Sequence, residues 1–327
     1  MIKFFRQSYI IQYIVLALLA IALWIPAFLS GAVDVTLTSP VTPIYNWFSG
    51  LLDASSLAML ITAFVLMVLE ALFFNSILVA NQIISKVSTM GAFVFLLFMN
   101  LTLTQTGFFP FALSLVFVLA LIHICFLIYQ TSNPEIYLFN AGVCLALATM
   151  CYFPLIVLVL WVIVSLIVSH FSSMRLQIIP IIGFLFPYFI YFGAAFLFGD
   201  LPSVLHAYAD YFTGFHLTAS GFSGRYVALF IVLAVSVVLP LFNGRNFSFE
   251  KSVPVRSKMT MTIILLLFSI FLLFIGGNPL IHGLIFLAFS IIVSYELSYV
   301  DKTGPANVVL SIFVILVFLN RYLLKIF

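Results

Sequence analysis

Ser56-Leu-Ala-Met-Leu-Ile-Thr-Ala-Phe-Val-Leu-Met67-Val-Leu-Glu70-Ala-Leu-Phe-Phe-Asn75-Ser-Ile-Leu-Val-Ala80 carries one charged residue, Glu70, from end to end. A helix crosses a hydrocarbon core of about 30 Å with about 20 apolar residues, and this run exceeds that length. It does not alternate apolar with polar, as the strands of about ten residues in an outer-membrane barrel do. Backbone groups in hydrocarbon must be satisfied within their own segment, so the run reads as a transmembrane helix.

The rest of the chain repeats that reading. Hydrophobic residues make up 65% of the 327 and charged residues 6%, against about 25% charged in an ordinary soluble domain. Twelve basic and nine acidic residues cannot coat a globule of this size. The expected fold is all-α, a single integral membrane domain over residues 1–327. Apolar runs place spans near 10–30, 56–80, 88–105, 110–130, 138–152, 154–171, 178–199, 226–243, 259–276, 279–298 and 306–325, about eleven helices. Lys3 and Arg6 precede the first run as in a secretory signal. That run is too long for an ordinary signal core, which favours an uncleaved first helix.

A net charge of +3, dispersed along the chain, excludes a nucleic-acid surface, which needs clustered Lys and Arg. Cys125, Cys144 and Cys151 fall inside apolar runs without disulfide or metal-ligand spacing and read as small buried hydrophobes. Lys86, Arg175, Arg245, Lys251, Arg256, Lys258 and Lys302 fall on one side if the N-terminus is cytoplasmic, as the positive-inside rule requires. The four basic residues between 245 and 258 read as a loop that sets orientation and meets anionic headgroups. An odd span count puts Arg321 and Lys325 on the outer side, against the rule.

Two outer segments are long, 31–55 and 199–225. In the first, Pro43-Ile-Tyr-Asn-Trp47-Phe48 suits a helix lying at headgroup level. In the second, Val204-Leu-His206-Ala-Tyr-Ala-Asp210-Tyr-Phe212 sets His206 and Asp210 one helical turn apart.

An ionisable group inside a span costs roughly 2.5–3.5 kcal/mol on insertion scales and is a functional candidate by default. Glu70 has two readings: a polar glue to a neighbouring helix, or a proton relay or substrate contact. Asn100, Thr102, Thr104 and Gln105 read as the interface end of the third span, with a cavity lining as the alternative. His123, His206, His216 and His282 lack the paired spacing of a metal site. The two outer segments gather Asp34 and Asp53 in one and Asp200, His206, Asp210, His216 and Arg225 in the other. A carboxylate can serve as general base on a hydroxyl while His or Arg stabilises a leaving phosphate; the same residues also suit an ordinary solvated loop.

Residues 81–200, with a tight polar turn, Asn133-Pro134-Glu135, Phe139-Asn140-Ala141-Gly142 and the Phe153-Pro154 break, resemble an uncharacterised family of bacterial polytopic inner-membrane proteins, a likeness covering the first two-thirds of the chain. The layout also resembles small lipid-linked glycosyltransferases of the GT-C type. They start inside and have an acidic first outer loop with interfacial helices, closely paired spans and another outer loop. That resemblance implies Asp34 as the catalytic carboxylate, Arg225 or His206 against the carrier phosphate, and a polyprenyl-phosphate-linked sugar as donor; from the residues themselves, His206, Asp210, Arg225 and Glu70 are the candidate substrate-binding residues. The resemblance also implies residence in the bacterial cytoplasmic (inner) membrane. The paired-acid signature of many such enzymes is absent, since Val35 and Thr36 follow Asp34. The alternative is a non-enzymatic component, either a transporter-like carrier or a structural subunit with envelope protein partners. No cofactor is read from the sequence.

Overall fold

The computed structural model describes every residue except 31–40, 52–55, 86, 103–107, 129–130, 132, 169–170, 172, 214–252, 276–281, 301–302 and 325–327. Among the described residues the regular elements are helical. They are α1 (Ile2–Phe5), α2 (Ile10–Ser30), α3 (Pro43–Leu51), α4 (Ser56–Ala80), α5 (Met90–Thr102), α6 (Phe108–Ile128) and α7 (Pro134–Cys151). After a 3-10 turn (Phe153–Val157) come α8 (Leu158–Val168), α9 (Met174–Phe198), α10 (Leu201–Thr213), α11 (Val253–Ile275), α12 (His282–Tyr299) and α13 (Thr303–Leu319), which ends in a π turn (Asn320–Leu324).

Six helices among the described residues are long and apolar enough to cross a membrane: α2, α4, α6, α7, α9 and α13 with its extension. Each coincides with a run read from the sequence. The expected span at 226–243 lies outside the described residues.

In the run read as 88–105, α5 covers 13 described residues, and α12 covers 18. Both are buried along nearly their whole described length. They pack on each other, with the Phe98 and Phe286 rings 6.5 Å apart and Phe98 also against Phe313 of α13 at 5.0 Å. Protein surrounds this pair.

The outer helices carry the opposite pattern. Ile10, Leu18 and Leu29 of α2, and Phe189, Phe196 and Leu197 of α9, are exposed. Large apolar side chains on the outside of a Phe-rich core are what a lipid solvent selects, and they account for the composition.

Two faces can be told apart by which helix ends meet. On the N-terminal face, the Ile2 amide donates to Asn307 at 2.9 Å, Arg6 donates to the Leu297 and Val300 carbonyls at 2.8 and 2.7 Å, and the Thr89 amide donates to the Phe5 carbonyl at 2.9 Å. On the far face, Asn320 donates to the Leu101 carbonyl at 2.8 Å and Arg321 to the Leu23 carbonyl at 3.2 Å. The two ends of the described chain therefore lie on opposite faces. Arg321 is not the solvated charge its position suggested, because its guanidinium is folded inward onto a helix carbonyl.

The tightest crossing joins α7 and α9. A Cβ on Gly142 would run into the Pro180 carbonyl oxygen and come within 2.7 Å of the Phe184 nitrogen, and a Cβ on Gly183 would meet the Phe139 carbonyl. Small residues that let backbones touch are the usual device for helix association in lipid. At the end of α9, Gly199 takes a left-handed φ of 80° while the Asp200 amide bonds the Ala195 carbonyl at 2.9 Å. That turn starts α10 straight after α9.

Candidate functional site

α3 and α10, expected as interfacial helices, form and are amphipathic. α3 buries Tyr45 and Ser49 against the bundle while Trp47 is 66% exposed. α10 buries Val204 and Tyr208 and leaves Leu205 and Phe212 exposed. α3 packs on α7 and α10 on α9, so both sit on the far face. One hydrogen bond joins their surroundings: the Tyr208 hydroxyl donates to the Val41 carbonyl at 3.3 Å.

Beneath α10 lies an aromatic layer. Phe153, at the break after α7, meets Tyr208, Tyr211 and Phe212 edge-to-face at 5.4, 4.8 and 5.6 Å. The Tyr188 hydroxyl donates to Thr149 Oγ1 at 2.9 Å. The Tyr152 hydroxyl is buried without a hydrogen-bond partner. Burial, aided at Tyr208 by the neighbouring Tyr188, pushes the Tyr208 and Tyr211 phenols above the ordinary tyrosine range. Both remain neutral donors at physiological pH.

His206 and Asp210 are exposed. Each lies two positions from a packed residue, Val204 or Tyr208, and so on the other side of the helix. They share one face, one turn apart, and make no hydrogen bond with each other. Asp34, Asp53, His216 and Arg225 lie outside the described residues. The segments that carry Asp34 and Arg225 attach to described ends on this same face, at Val41 and Thr213.

Glu70 is far from this surface. It is 1% exposed, and neither carboxyl oxygen has a hydrogen-bond partner among the described residues. Its helical neighbours at i−3 and i+4 point to α5: Met67 Sδ accepts from Asn100 at 3.2 Å, and the Phe74 ring lies 5.0 Å from Phe95. Glu70 thus shares the α5-facing stripe, and α5 offers it no titratable side chain. Asn100 is also inside the bundle, donating to the Leu96 carbonyl at 2.7 Å, which corrects its reading as an interface marker.

Lys258 is the residue that sequence reasoning misplaced. It is fully buried and donates to the Asn81 carbonyl at 3.1 Å, whereas the basic loop was expected to hold it in water. The signal was Pro254, a first-turn proline that starts α11 at Val253 and carries Lys258 into the bundle. Asn133-Pro134-Glu135 does begin α7, with Glu135 paired to Arg175 at 3.0 Å on the surface.

Helices clad in exposed Leu, Ile and Phe around a buried aromatic core define an integral, multi-pass α-helical membrane protein. The chain belongs to the family of unknown function DUF6427, which matches it over residues 1–327. No curated protein and no solved structure matches it.

Proposed function

We propose that the chain is a GT-C-like glycosyltransferase that uses a polyprenyl-phosphate-linked sugar at the far face, the outer face of a bacterial cytoplasmic membrane. The observation that carries this reading is the pairing of two amphipathic helices, α3 and α10, on one face, joined by the Tyr208 bond to Val41. A lipid-linked donor needs such a platform: its prenyl chain stays in hydrocarbon while its sugar phosphate meets polar side chains at the headgroup level.

In this reading Asp34 takes the proton of the acceptor hydroxyl as that oxygen bonds the anomeric carbon. The bond from the anomeric carbon to the phosphate oxygen breaks, and polyprenyl phosphate leaves. Arg225 and His206 meet its negative charge, and Asp210 holds sugar hydroxyls. Asp34→Asn should abolish transfer from a lipid-linked donor with the amount of protein in the membrane unchanged; retained turnover removes Asp34 from the mechanism. Mass spectrometry of lipids that co-purify with the protein should find polyprenyl phosphates.

A second reading, a proton-linked carrier, is favoured by Glu70 alone, since an unpartnered buried carboxyl is what a proton site in a bundle requires. Glu70→Gln separates the two. Under the first reading transfer is retained; under the second, proteoliposomes carrying the variant no longer dissipate an imposed pH gradient.

A further inference from the structure

On the N-terminal face, opposite α3 and α10, three helices bring together groups that neither reading uses. α4 ends at Asn81, where Gln82 adopts a left-handed φ of 60° and the Ile83 amide returns to the Leu78 carbonyl at 2.9 Å. This ending leaves the Asn81 carbonyl free to accept the Lys258 ammonium of α11 at 3.1 Å. The Asn81 amide donates to the Ile77 carbonyl at 2.9 Å and lies 3.1 Å from Nδ1 of His123 on α6. With the amide as donor, Nδ1 accepts and the ring proton belongs on Nε2, an assignment made from the hydrogen-bond pattern.

The charges here do not balance. Lys258 is fully buried, and among the described residues no carboxylate lies within ion-pair distance of it. Arg256, two positions before it, is exposed. The carbonyl end of α4 supplies about half a negative charge, which offsets part of the ammonium. The remainder, with two ammonium hydrogens and the His123 Nε2 hydrogen, has no hydrogen-bond acceptor among the described residues, where Asn81 Oδ1 is also buried without a partner, and a buried charge left this way is destabilising.

We propose that Lys258, His123 and Asn81 form a binding site for a phosphate group, entered past His123, whose side chain is half-buried. A phosphate brings the missing negative charge and several acceptor oxygens to a group of donors. Its source is either the headgroup of an anionic lipid or a soluble phosphoester.

Wild type, Lys258→Met and Arg256→Gln are reconstituted in nanodiscs of phosphatidylcholine, alone or with one-fifth phosphatidylglycerol, and unfolded by heat. In detergent, the same proteins are titrated with inorganic phosphate. Phosphatidylglycerol should raise the unfolding temperature of wild type and Arg256→Gln by about 3 °C or more and leave Lys258→Met unmoved. The same selective shift with inorganic phosphate assigns the site to a soluble phosphoester. An equal shift in Lys258→Met, or none in wild type under either condition, overturns the proposal. A loss of stability in Lys258→Met with an unresponsive wild type does too, because it assigns the lysine to capping α4. If Lys258→Met does not fold, His123→Ala, which keeps the lysine-to-carbonyl bond, carries the comparison.

Discussion

Glu70 is a carboxyl at 1% exposure, set between Met67 and Phe74 on the stripe facing α5, with no hydrogen bond to either oxygen among the described residues. Its neighbours ask for shape and not for charge. Glu70→Gln, which keeps the volume and removes the ionisable group, should yield the same amount of monodisperse protein with an unchanged unfolding temperature. A fall in assembled protein would show that the bundle depends on an ionised Glu70. Glu70→Lys, which cannot shed its donors in an apolar core, should fail to assemble. The burial of Glu70 was legible in the sequence because its run has no charge of opposite sign. The fate of Lys258 was not. A lysine in the second turn of a helix and a lysine at the end of a loop have the same one-dimensional neighbours, and only the arrival of α4 shows where the ammonium goes.

At the scale of elements, the α7–α9 crossing is closed by two glycines, with the Tyr188–Thr149 hydrogen bond and the surface Glu135–Arg175 pair beside it. Gly142→Ala should cost about 1–3 kcal/mol, read as a lower unfolding temperature in detergent, because one methyl meets the Pro180 carbonyl. Gly193→Ala in the same helix α9 is the control. It has open space around it, so it should be neutral or stabilising by up to about 1 kcal/mol. An equal loss at both positions would mean that helix propensity, and not the crossing, sets the effect. Helices of this kind are well marked in sequence: the runs at 10–30 and 56–80 match α2 and α4 closely. Which runs face lipid and which face protein is not marked, since an apolar residue facing lipid and one facing another helix look alike. The bend at Phe153–Val157 is written in Pro154, but the split of the run at 154–171 into a 3-10 turn and α8 comes from packing on α7.

At the scale of the whole molecule, the contacts of Arg6 with α12 and of Asn320 with α5 put the two ends of the chain on opposite faces. In a variant with Cys125, Cys144 and Cys151 replaced by Ser, single cysteines at Gln82 and Ser203 should react with an impermeant maleimide from opposite sides of sealed vesicles. Labelling of both from one side would collapse the arrangement. The apolar runs give an odd count, which sets Arg321 against the positive-inside rule; that guanidinium bonds the Leu23 carbonyl within the protein, which eases the conflict at this residue. The outer-face residues were legible as a set of types and not as a constellation. His206 and Asp210 share a helix face, but the sequence offers nothing that says what stands over them.

α5 is surrounded by protein in the finished bundle, and α12, the partner that covers it, is encoded roughly 190 residues later. At about 5–20 residues per second that is on the order of ten to forty seconds of translation. Through that interval α5 must shelter against α4 and α2, or be guarded by the insertion machinery. A ribosome stalled before α12 should therefore leave a nascent protein whose first half is threaded through the membrane yet open to proteolysis.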